Sequence, residues 1–366
     1  MDLQGNDLSG LLPTELGLMT NLTYMDLSNN RFLLGIPTEI GYMTSLIHFD
    51  IAMNLMNGFL PTEIGLLTRL DFCSAAGNSL NGTLPTGVGN LKKLTALNFP
   101  DNQLTGSLSS VLGSLTALTY FGASNNQLSN TIPTEFGHLT LLLYFSTNSN
   151  NLTGTLPSEL GLLTNLTYLG ATYNHFIRTI PTEFGRLAQL ASLSAYGNKL
   201  TGHLPSELGS MTSLTRLELS ENILTGTIPT DIGRLTQLAH LLIDINNIAG
   251  TIPTEIGNLI KLQSFLVDSN YISGTIPTQV GNFANLTFFS VNTNIMTGPL
   301  PSKLEILIKL TLLKFSENQF NSSIPTELGN LRQLSSFIAH SNLLTGSLPS
   351  ELGHLTNLKK FLLLWQ

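Results

Sequence analysis

Histidine, cysteine and carboxylate side chains hold metals and carry out acid–base catalysis, but their spacing in this chain suits neither task. The seven histidines, at positions 48, 138, 175, 203, 240, 340 and 354, are scattered along 366 residues. Local zinc signatures need histidines four residues apart on a helix, or paired cysteines. The sequence has neither pattern, and no glycine-rich phosphate loop follows a strand. We therefore expect no catalytic residues, no cofactor and no bound metal.

Composition excludes two further classes of function. Charged residues make up only 11% of the chain and the formal net charge is −7, with lysines clustered only at Lys92-Lys93 and Lys359-Lys360. Nucleic-acid binding needs a basic patch, so we expect no nucleic-acid partner. The sequence contains no apolar run of 18 residues, which predicts no membrane span within it. The opening MDLQGNDLSG does not have the pattern of a signal peptide.

The strongest pattern in the chain is a repeat of 24 residues without insertion or deletion. Leucine stands eight residues before each repeated asparagine from Leu22 to Leu334, and proline stands seven residues after it, with Ser109 as the exception. Such a period predicts stacked structural units rather than separate globular domains. The repeated asparagines are Asn6, Asn30, Asn54, Asn78, Asn102, Asn126, Asn150, Asn174, Asn198, Asn222, Asn246, Asn270, Asn294, Asn318 and Asn342.

Each unit begins with a short strand, as LTYMDLSNN (22–30) illustrates. Leu22, Met25 and Leu27 are predicted to point inward while the residues between them point outward, which is the period-2 alternation of a strand. Strands that arrive once per unit in one direction must pair in parallel. The asparagine lies where the chain leaves the sheet, so its amide can bond the backbone groups that have lost their ladder partners. We predict a buried asparagine ladder. The single cysteine, Cys73, takes an inward strand position and is expected to be a core residue.

The segment after each proline, such as Pro-Thr-Glu-Leu-Gly, predicts a short helical turn with Ser or Thr as its N-cap. An acidic residue follows the Ser or Thr in eleven units, where a helix dipole favours it. These eleven are nearly half of the 23 acids, so the negative charge is mostly structural in origin. The regular Ser/Thr column also has the spacing an ice-binding face would require, although its hydroxyls are expected to act as caps.

The unit resembles the plant-type leucine-rich repeat, as in LTRLELSENILTGTIPTDIGRL (214–235). Such repeats form the ectodomains of plant receptor-like kinases and receptor-like proteins and also polygalacturonase-inhibiting proteins, and similar arrays occur in protists such as diatoms. The resemblance implies an α/β solenoid. This would be a right-handed leucine-rich-repeat superhelix with a concave parallel β-sheet and short helical or 3-10 turns on its convex side. Ligands of the family usually dock on the concave face.

Residues 1–366 are predicted to form a single array of about fifteen units, uncapped at both ends. The paired-cysteine caps, signal peptide, membrane span and kinase domain of the plant ectodomains are not found in the sequence. Phe361, Leu363 and Trp365 would lie on an open edge, which predicts a fragment of a longer protein. The alternative is a protein that caps its ends by self-association.

The outward strand positions are where function would lie. Asp2, Asp26 and Asp50 stack on neighbouring strands and could mark a cationic partner, although Asp is also the common residue of such repeats. Strands further along form an uncharged patch of the composition found in adaptable binding surfaces. From residue 216 the face becomes charged with mixed signs, as expected of a solvated surface. The predicted patch comprises Tyr120, Gly122, Ser124, Tyr144, Ser146, Asn148, Tyr168, Gly170, Thr172, Tyr173 and Tyr196.

The leading hypothesis is a non-catalytic recognition module that binds a protein, peptide or glycan on its concave face. The resemblance favours a cell-surface or secreted receptor-like protein. One alternative is an intracellular or structural scaffold for protein assembly. The other is the ectodomain of a receptor kinase whose catalytic domain lies outside this chain.

Overall fold

The computed structural model describes residues 1–363, so Trp365, predicted to lie on an open edge, falls outside the described residues. The chain divides into two compact units, Met1–Ile177 and Arg178–Gln366. Both are built from the same 24-residue element: a three-residue strand, a turn, in most repeats a second short strand, and a 3-10 turn. Within each unit, strands and 3-10 turns stack in a leucine-rich-repeat solenoid, as the sequence predicted.

The first strand of each repeat belongs to what we call the principal sheet. Its neighbours are parallel and in register 24 residues apart, as in the pairing of Tyr120 with Tyr144 and of Phe121 with Phe145. Met25 and Leu27 are buried as predicted, whereas Tyr24, an outward-facing residue of the same strand, is 40% exposed. In Met1–Ile177 these strands are Tyr24–Asp26, His48–Asp50, Phe72–Ser74, Ala96–Asn98, Tyr120–Gly122, Tyr144–Ser146 and Tyr168–Gly170.

The unit Arg178–Gln366 carries principal-sheet strands of the same length. They are Ser192–Ser194, Arg216–Glu218, His240–Leu242, Ser264–Leu266, Phe288–Ser290, Leu312–Lys314, Ser336–Ile338 and Lys360–Leu362. Phe361 of the last of these strands is 38% exposed and stacks on Phe337 with ring centroids 5.4 Å apart.

A second set of short parallel strands begins just after the repeated asparagine in most repeats. Several of them end at a glycine with positive φ, such as Gly154 at 77°, a conformation that side chains with a Cβ resist. These strands are Ser9–Gly10, Arg31–Leu34, Leu55–Phe59, Ser79–Gly82, Gln103–Ser107, Gln127–Asn130, Asn151–Gly154, His175–Arg178, Lys199–Leu200, Ala249–Thr251, Tyr271–Gly274, Ile295–Gly298 and Gln319–Phe320.

The predicted helical turns are five-residue 3-10 helices, but the predicted N-cap is wrong. The cap residue is the proline, with Pro13 at φ −70° and ψ 144°, and it makes no side-chain cap bond. Thr14 is the first helical residue, and its hydroxyl donates to the Glu15 carboxylate at 3.4 Å instead of capping the helix. Proline fixes φ in advance and has no N–H to satisfy, so it suits the position before the first turn. Among the 3-10 helices of residues 1–363, only that preceded by Ser109 has a side-chain cap: Ser109, in the proline position, accepts from the Val111 N–H at 3.5 Å.

The bounds of the fifteen 3-10 helices in the described part of the chain follow the same spacing. They are Thr14–Leu18, Thr38–Tyr42, Thr62–Leu66, Thr86–Asn90, Ser110–Ser114, Thr134–His138, Ser158–Leu162, Thr182–Arg186, Ser206–Ser210, Thr230–Arg234, Thr254–Asn258, Thr278–Asn282, Ser302–Ile306, Thr326–Asn330 and Ser350–His354. No helix within residues 1–363 has the length and apolarity needed to cross a membrane.

The core between these elements consists of leucine, isoleucine and phenylalanine side chains with almost no exposure. In Met1–Ile177, Phe136 meets Phe121 and Phe145 edge to face, with centroids 5.2 and 5.4 Å away. Cys73 is buried among these side chains, and burial raises the pKa of its thiol to about 12, as expected of an unreactive core residue.

The repeated asparagines bond the backbone of two successive repeats. The amide of Asn54 donates to the carbonyls of Ile51 and Leu27, at 3.1 and 3.0 Å, and its oxygen accepts from the Phe32 N–H at 3.0 Å. Most members of the column are buried, but Asn78, Asn102 and Asn342 are half-buried. Asn6 is exposed and bonds only carbonyls of its own turn, so it is not part of a buried ladder.

Candidate ligand-binding face

Three tyrosines form a continuous stack on the open face of the principal sheet in Met1–Ile177. The rings of Tyr120 and Tyr144 have centroids 4.5 Å apart and planes 2° from parallel. Tyr144 and Tyr168 repeat this geometry at 4.6 Å and 8°. The separation is close to the spacing of adjacent strands, because the three residues are partners in the sheet register. We call Tyr120, Tyr144 and Tyr168 the tyrosine stack.

Glycines beside the stack let the rings lie down along the sheet. A Cβ on Gly122 would be 3.0 Å from Cε1 of Tyr120, and one on Gly170 would be 2.7 Å from Cε1 of Tyr168. The Gly170 distance is shorter than real Cβ contacts and the Gly122 distance is at their limit, so the two rings occupy the space above these glycines. The rings are half-buried as a result, and because they stack face to face they present a continuous row of ring edges.

Polar side chains next to the stack are already bonded to one another. The hydroxyls of Ser124 and Ser146 are hydrogen-bonded at 2.7 Å. Asn148 donates its amide to the Tyr168 hydroxyl at 3.2 Å and accepts from the Thr172 N–H at 2.9 Å. This network holds the rim of the stack in one arrangement.

Burial divides the residues of the sequence-based patch into two groups. Gly122, Ser146, Gly170 and Thr172 are buried and form the floor under the rings, so they offer no surface to a ligand. The half-buried residues are Tyr120, Ser124, Tyr144, Asn148 and Tyr168, and Tyr173 is exposed.

Tyr196 belongs to the unit Arg178–Gln366 and is half-buried there. It follows the strand Ser192–Ser194, two positions after its last residue.

The stack also changes the acidity of Tyr120. Burial, followed by the neighbouring Tyr144 and a hydrogen bond to it, raises the pKa of Tyr120 to about 12. The phenol therefore stays protonated well beyond neutral pH and remains a hydrogen-bond donor.

A second cluster on the same face was not found by sequence reasoning, which predicted no metal ligands. One ligand-capable atom from each of Asp26, His48 and Asp50 lies within 4.8 Å of the others. The cluster combines residues two and 24 positions apart, so only the parallel register reveals it. The sequence did contain a signal for this cluster. Asp26 and Asp50 were expected to stack on neighbouring strands, and His48 precedes Asp50 by two residues and therefore shares its face.

The charged part of the face, in Arg178–Gln366, is internally paired. Arg216 Nε donates to Glu218 Oε1 at 2.7 Å, and Glu218 Oε2 accepts from the Ser194 hydroxyl at 2.6 Å. Asp268 accepts from the Asn292 N–H at 2.7 Å. These contacts fit the expectation of a solvated surface with satisfied charges.

Comparison with known proteins finds a family model that matches four segments of the chain. The Leucine Rich Repeat family model matches residues 21–43, 117–139, 213–235 and 309–331. A comparison with curated proteins finds no match.

Several solved structures have the same fold. The plant peptide hormone receptor RGFR1 in complex with RGF2 has a TM-score of 0.89 and 32% identity, over 99% of this chain and 62% of that chain. The ectodomain of the Arabidopsis receptor kinase HAESA, in complex with an extended IDA peptide hormone, has a TM-score of 0.82 and 28% identity, over 98% of this chain and 65% of that chain. A leucine-rich-repeat protein of Leptospira interrogans has a TM-score of 0.70 and 28% identity, over 99% and 95% of the two chains. This chain thus spans less than two thirds of the length of the two plant receptor chains.

Proposed function

Because this chain is a leucine-rich-repeat protein with units of the plant type, we propose that it is a non-catalytic recognition module for an extended peptide. The peptide binds on the open face of the principal sheet, which the family resemblance makes the concave face, and contacts the tyrosine stack. The whole protein is then a cell-surface or secreted receptor-like protein, of which this chain is the ligand-binding region.

The observation that carries the proposal is the tyrosine stack itself. The edges of three stacked rings give a continuous surface whose side chains are already ordered, so a ligand that covers them costs little side-chain entropy. The hydroxyls and the amide of Asn148 provide polar contacts at the border of this surface. No acidic or basic side chain is present at the outward positions of the three strands Tyr120–Gly122, Tyr144–Ser146 and Tyr168–Gly170.

The dimensions of the stack suit an extended peptide that crosses the strands. Two steps of 4.5 and 4.6 Å separate the first ring from the third. An extended chain advances about 3.3 Å per residue, so roughly three peptide residues cover the stack. Two of the receptors with the same fold were solved with peptide hormones, RGF2 and IDA, which supports a peptide as the ligand class.

A binding screen tests the proposal. The chain would be screened against a peptide library and an array of cell-wall glycans, and the best ligand titrated against Tyr144→Ala and Tyr168→Ala. We expect a peptide to bind and each substitution to weaken binding by at least about tenfold, as loss of a central aromatic contact usually does. Tyr271→Ala is the matched control, because Tyr271 is 57% exposed and lies on the second set of strands.

Two results would contradict the proposal. Unchanged affinity in both tyrosine variants would remove the stack from the binding site. If the screen selected a glycan and no peptide, the proposed ligand class would be wrong. Sequencing the gene on both sides of this chain for a signal peptide and a membrane span tests the receptor-like assignment separately.

A further inference from the structure

The cluster of Asp26, His48 and Asp50 lies on two adjacent strands of the principal sheet in Met1–Ile177. Tyr24–Asp26 pairs in parallel with His48–Asp50, which places Asp26 directly opposite Asp50 and Tyr24 opposite His48. Side chains two residues apart on a strand share a face, so His48 and Asp50 are also neighbours. One donor atom from each of the three residues falls within 4.8 Å of the other two.

The imidazole of His48 is fixed in position by its neighbours. Its ring is stacked between Tyr24, with centroids 4.3 Å apart and planes at 9°, and Phe72, at 4.5 Å and 7°. Its Nε2 atom is buried and has no hydrogen-bond partner. Buried polar atoms are nearly always bonded, so a nitrogen left open in a well-ordered ring points to a ligand that completes it.

The two carboxylates are oriented by the backbone in the same way. Asp26 Oδ1 accepts the Ser28 N–H at 2.9 Å, and Asp50 Oδ1 accepts the Ala52 N–H at 2.8 Å. The Oδ2 of Asp26 has only a long contact of 3.4 Å from the Tyr24 hydroxyl, whereas the Asp50 carboxylate also has a hydrogen bond with the Ser74 side chain. Asp26 is only 6% exposed. Two like charges placed opposite each other on neighbouring strands repel, and a cation between them would remove that repulsion.

We propose that Asp26, His48 and Asp50 form a binding site for a divalent transition-metal ion, represented by Zn²⁺. One imidazole nitrogen with two carboxylate oxygens is a ligand set that zinc and its first-row neighbours accept, whereas Ca²⁺ and Mg²⁺ prefer oxygen ligands alone. Zinc–ligand bonds of about 2.1 Å in a tetrahedron put the donor atoms about 3.4 Å apart, so the side chains close by roughly 1 Å on binding. The fourth position stays open to water or to another ligand. The site is separate from the tyrosine stack and does not depend on the peptide-binding proposal.

The test uses the full chain, freed of metal with a chelator, and Zn²⁺ alone as the probe in calorimetric titration. We expect one tightly bound Zn²⁺ per chain. His48→Phe and Asp50→Asn should each weaken binding by more than about tenfold, the least that loss of even an outer hydrogen-bond partner of a metal ligand costs. Phenylalanine at 48 would continue the ring stack between Tyr24 and Phe72, so circular dichroism should confirm that this variant still folds.

The matched control is His240→Phe. His240 occupies the same position of its repeat, is also half-buried, and lies 192 residues further along the chain. Unlike the imidazole of His48, the imidazole of His240 faces a serine on the adjacent strand, and its Nδ1 is hydrogen-bonded with the Ser264 hydroxyl at 3.1 Å. This variant should bind Zn²⁺ like the original chain. Co²⁺ bound in place of Zn²⁺ should give visible absorption that is lost in His48→Phe.

Three outcomes would overturn the proposal. One is the absence of tight Zn²⁺ binding by the original chain. Another is equal affinity in the folded double variant His48→Phe, Asp50→Asn, which would place the ion elsewhere. The third is displacement of Zn²⁺ by equimolar Ca²⁺ or Mg²⁺, which would contradict the assigned class of metal.

Discussion

The side-chain oxygen of Asn150 accepts a hydrogen bond from the backbone N–H of Leu128 at 2.9 Å, across 22 positions of sequence. The amide of the same side chain donates to the carbonyls of Ala123, Thr147 and Asn148 at 2.9, 3.1 and 3.2 Å. One buried side chain thus satisfies backbone groups in two successive repeats, at the place where the chain leaves the principal sheet. Repetition of this arrangement couples each repeat to the one before it.

Asn150→Ala is expected to lower the free energy of unfolding by about 3 kcal/mol, because it leaves a buried N–H and buried carbonyls without partners. Chemical denaturation measures the effect. Asn6→Ala is the control, since Asn6 is exposed and bonds only the carbonyls of Leu3 and Gln4. It should cost less than about 1 kcal/mol. Equal losses in the two variants would show that the contacts of Asn150 do not stabilise the array.

Ile245 has a strained backbone. It sits at φ 53°, in the left-handed region that β-branched residues resist, whereas other repeats have Asn29, Gly77 or Asn125 at this position. Ile245→Asn should raise the free energy of unfolding by about 1 kcal/mol. Ile223→Asn is the control because Ile223 is similarly exposed, at 46% against 49%, and has no positive φ. A gain of equal size in the control would show that replacing an exposed apolar side chain with a polar one, and not relief of backbone strain, causes the effect.

Ser109 takes the place that proline occupies in the other repeats. Its φ of −76° and ψ of 140° match those of the capping prolines, for example Pro133 at −64° and 142°. Ser109→Pro should stabilise the chain by about 0.5 kcal/mol by restricting the unfolded state, since the lost bond to the Val111 N–H is long at 3.5 Å. Thermal unfolding tests this. A lower melting temperature would mean that the serine cap contributes more than the restriction of φ.

Ionisation of Tyr120 is expected to lower the free energy of unfolding at alkaline pH. Burial raises its pKa from the ordinary value of 10.0 to about 12, so the folded chain holds a proton that the unfolded chain releases. The resulting stabilisation is complete below about pH 10 and is lost as the pH rises towards 12. Denaturation at pH 9 and pH 11 should show a smaller loss of stability in Tyr120→Phe than in the original chain. The same loss in both proteins would contradict the raised pKa.

Much of the fold follows from the sequence because the determining interactions are local and repeated. Leu27 and Phe121 face the core for the same reason, since inward positions alternate along every strand and every repeat meets an equivalent neighbour. The N-cap prediction failed because the hydroxyl of Thr14 had two possible partners, the backbone and the Glu15 carboxylate. Proline before it had already provided the extended geometry that a cap requires.

The sequence by itself determined the period, the parallel register and the columns of outward side chains, because these depend only on residue spacing. Only the tertiary structure decided which outward side chains are exposed and which residues they contact. The ring of Tyr168 lies over Gly170, and Ser146 and Thr172 are buried although they were predicted to be part of the ligand-binding patch. The approach of Asp26, His48 and Asp50 to within 4.8 Å likewise depends on side-chain rotamers that stacked rings and backbone N–H groups select. Spacing places side chains on a face, but only packing between adjacent strands sets their direction and exposure.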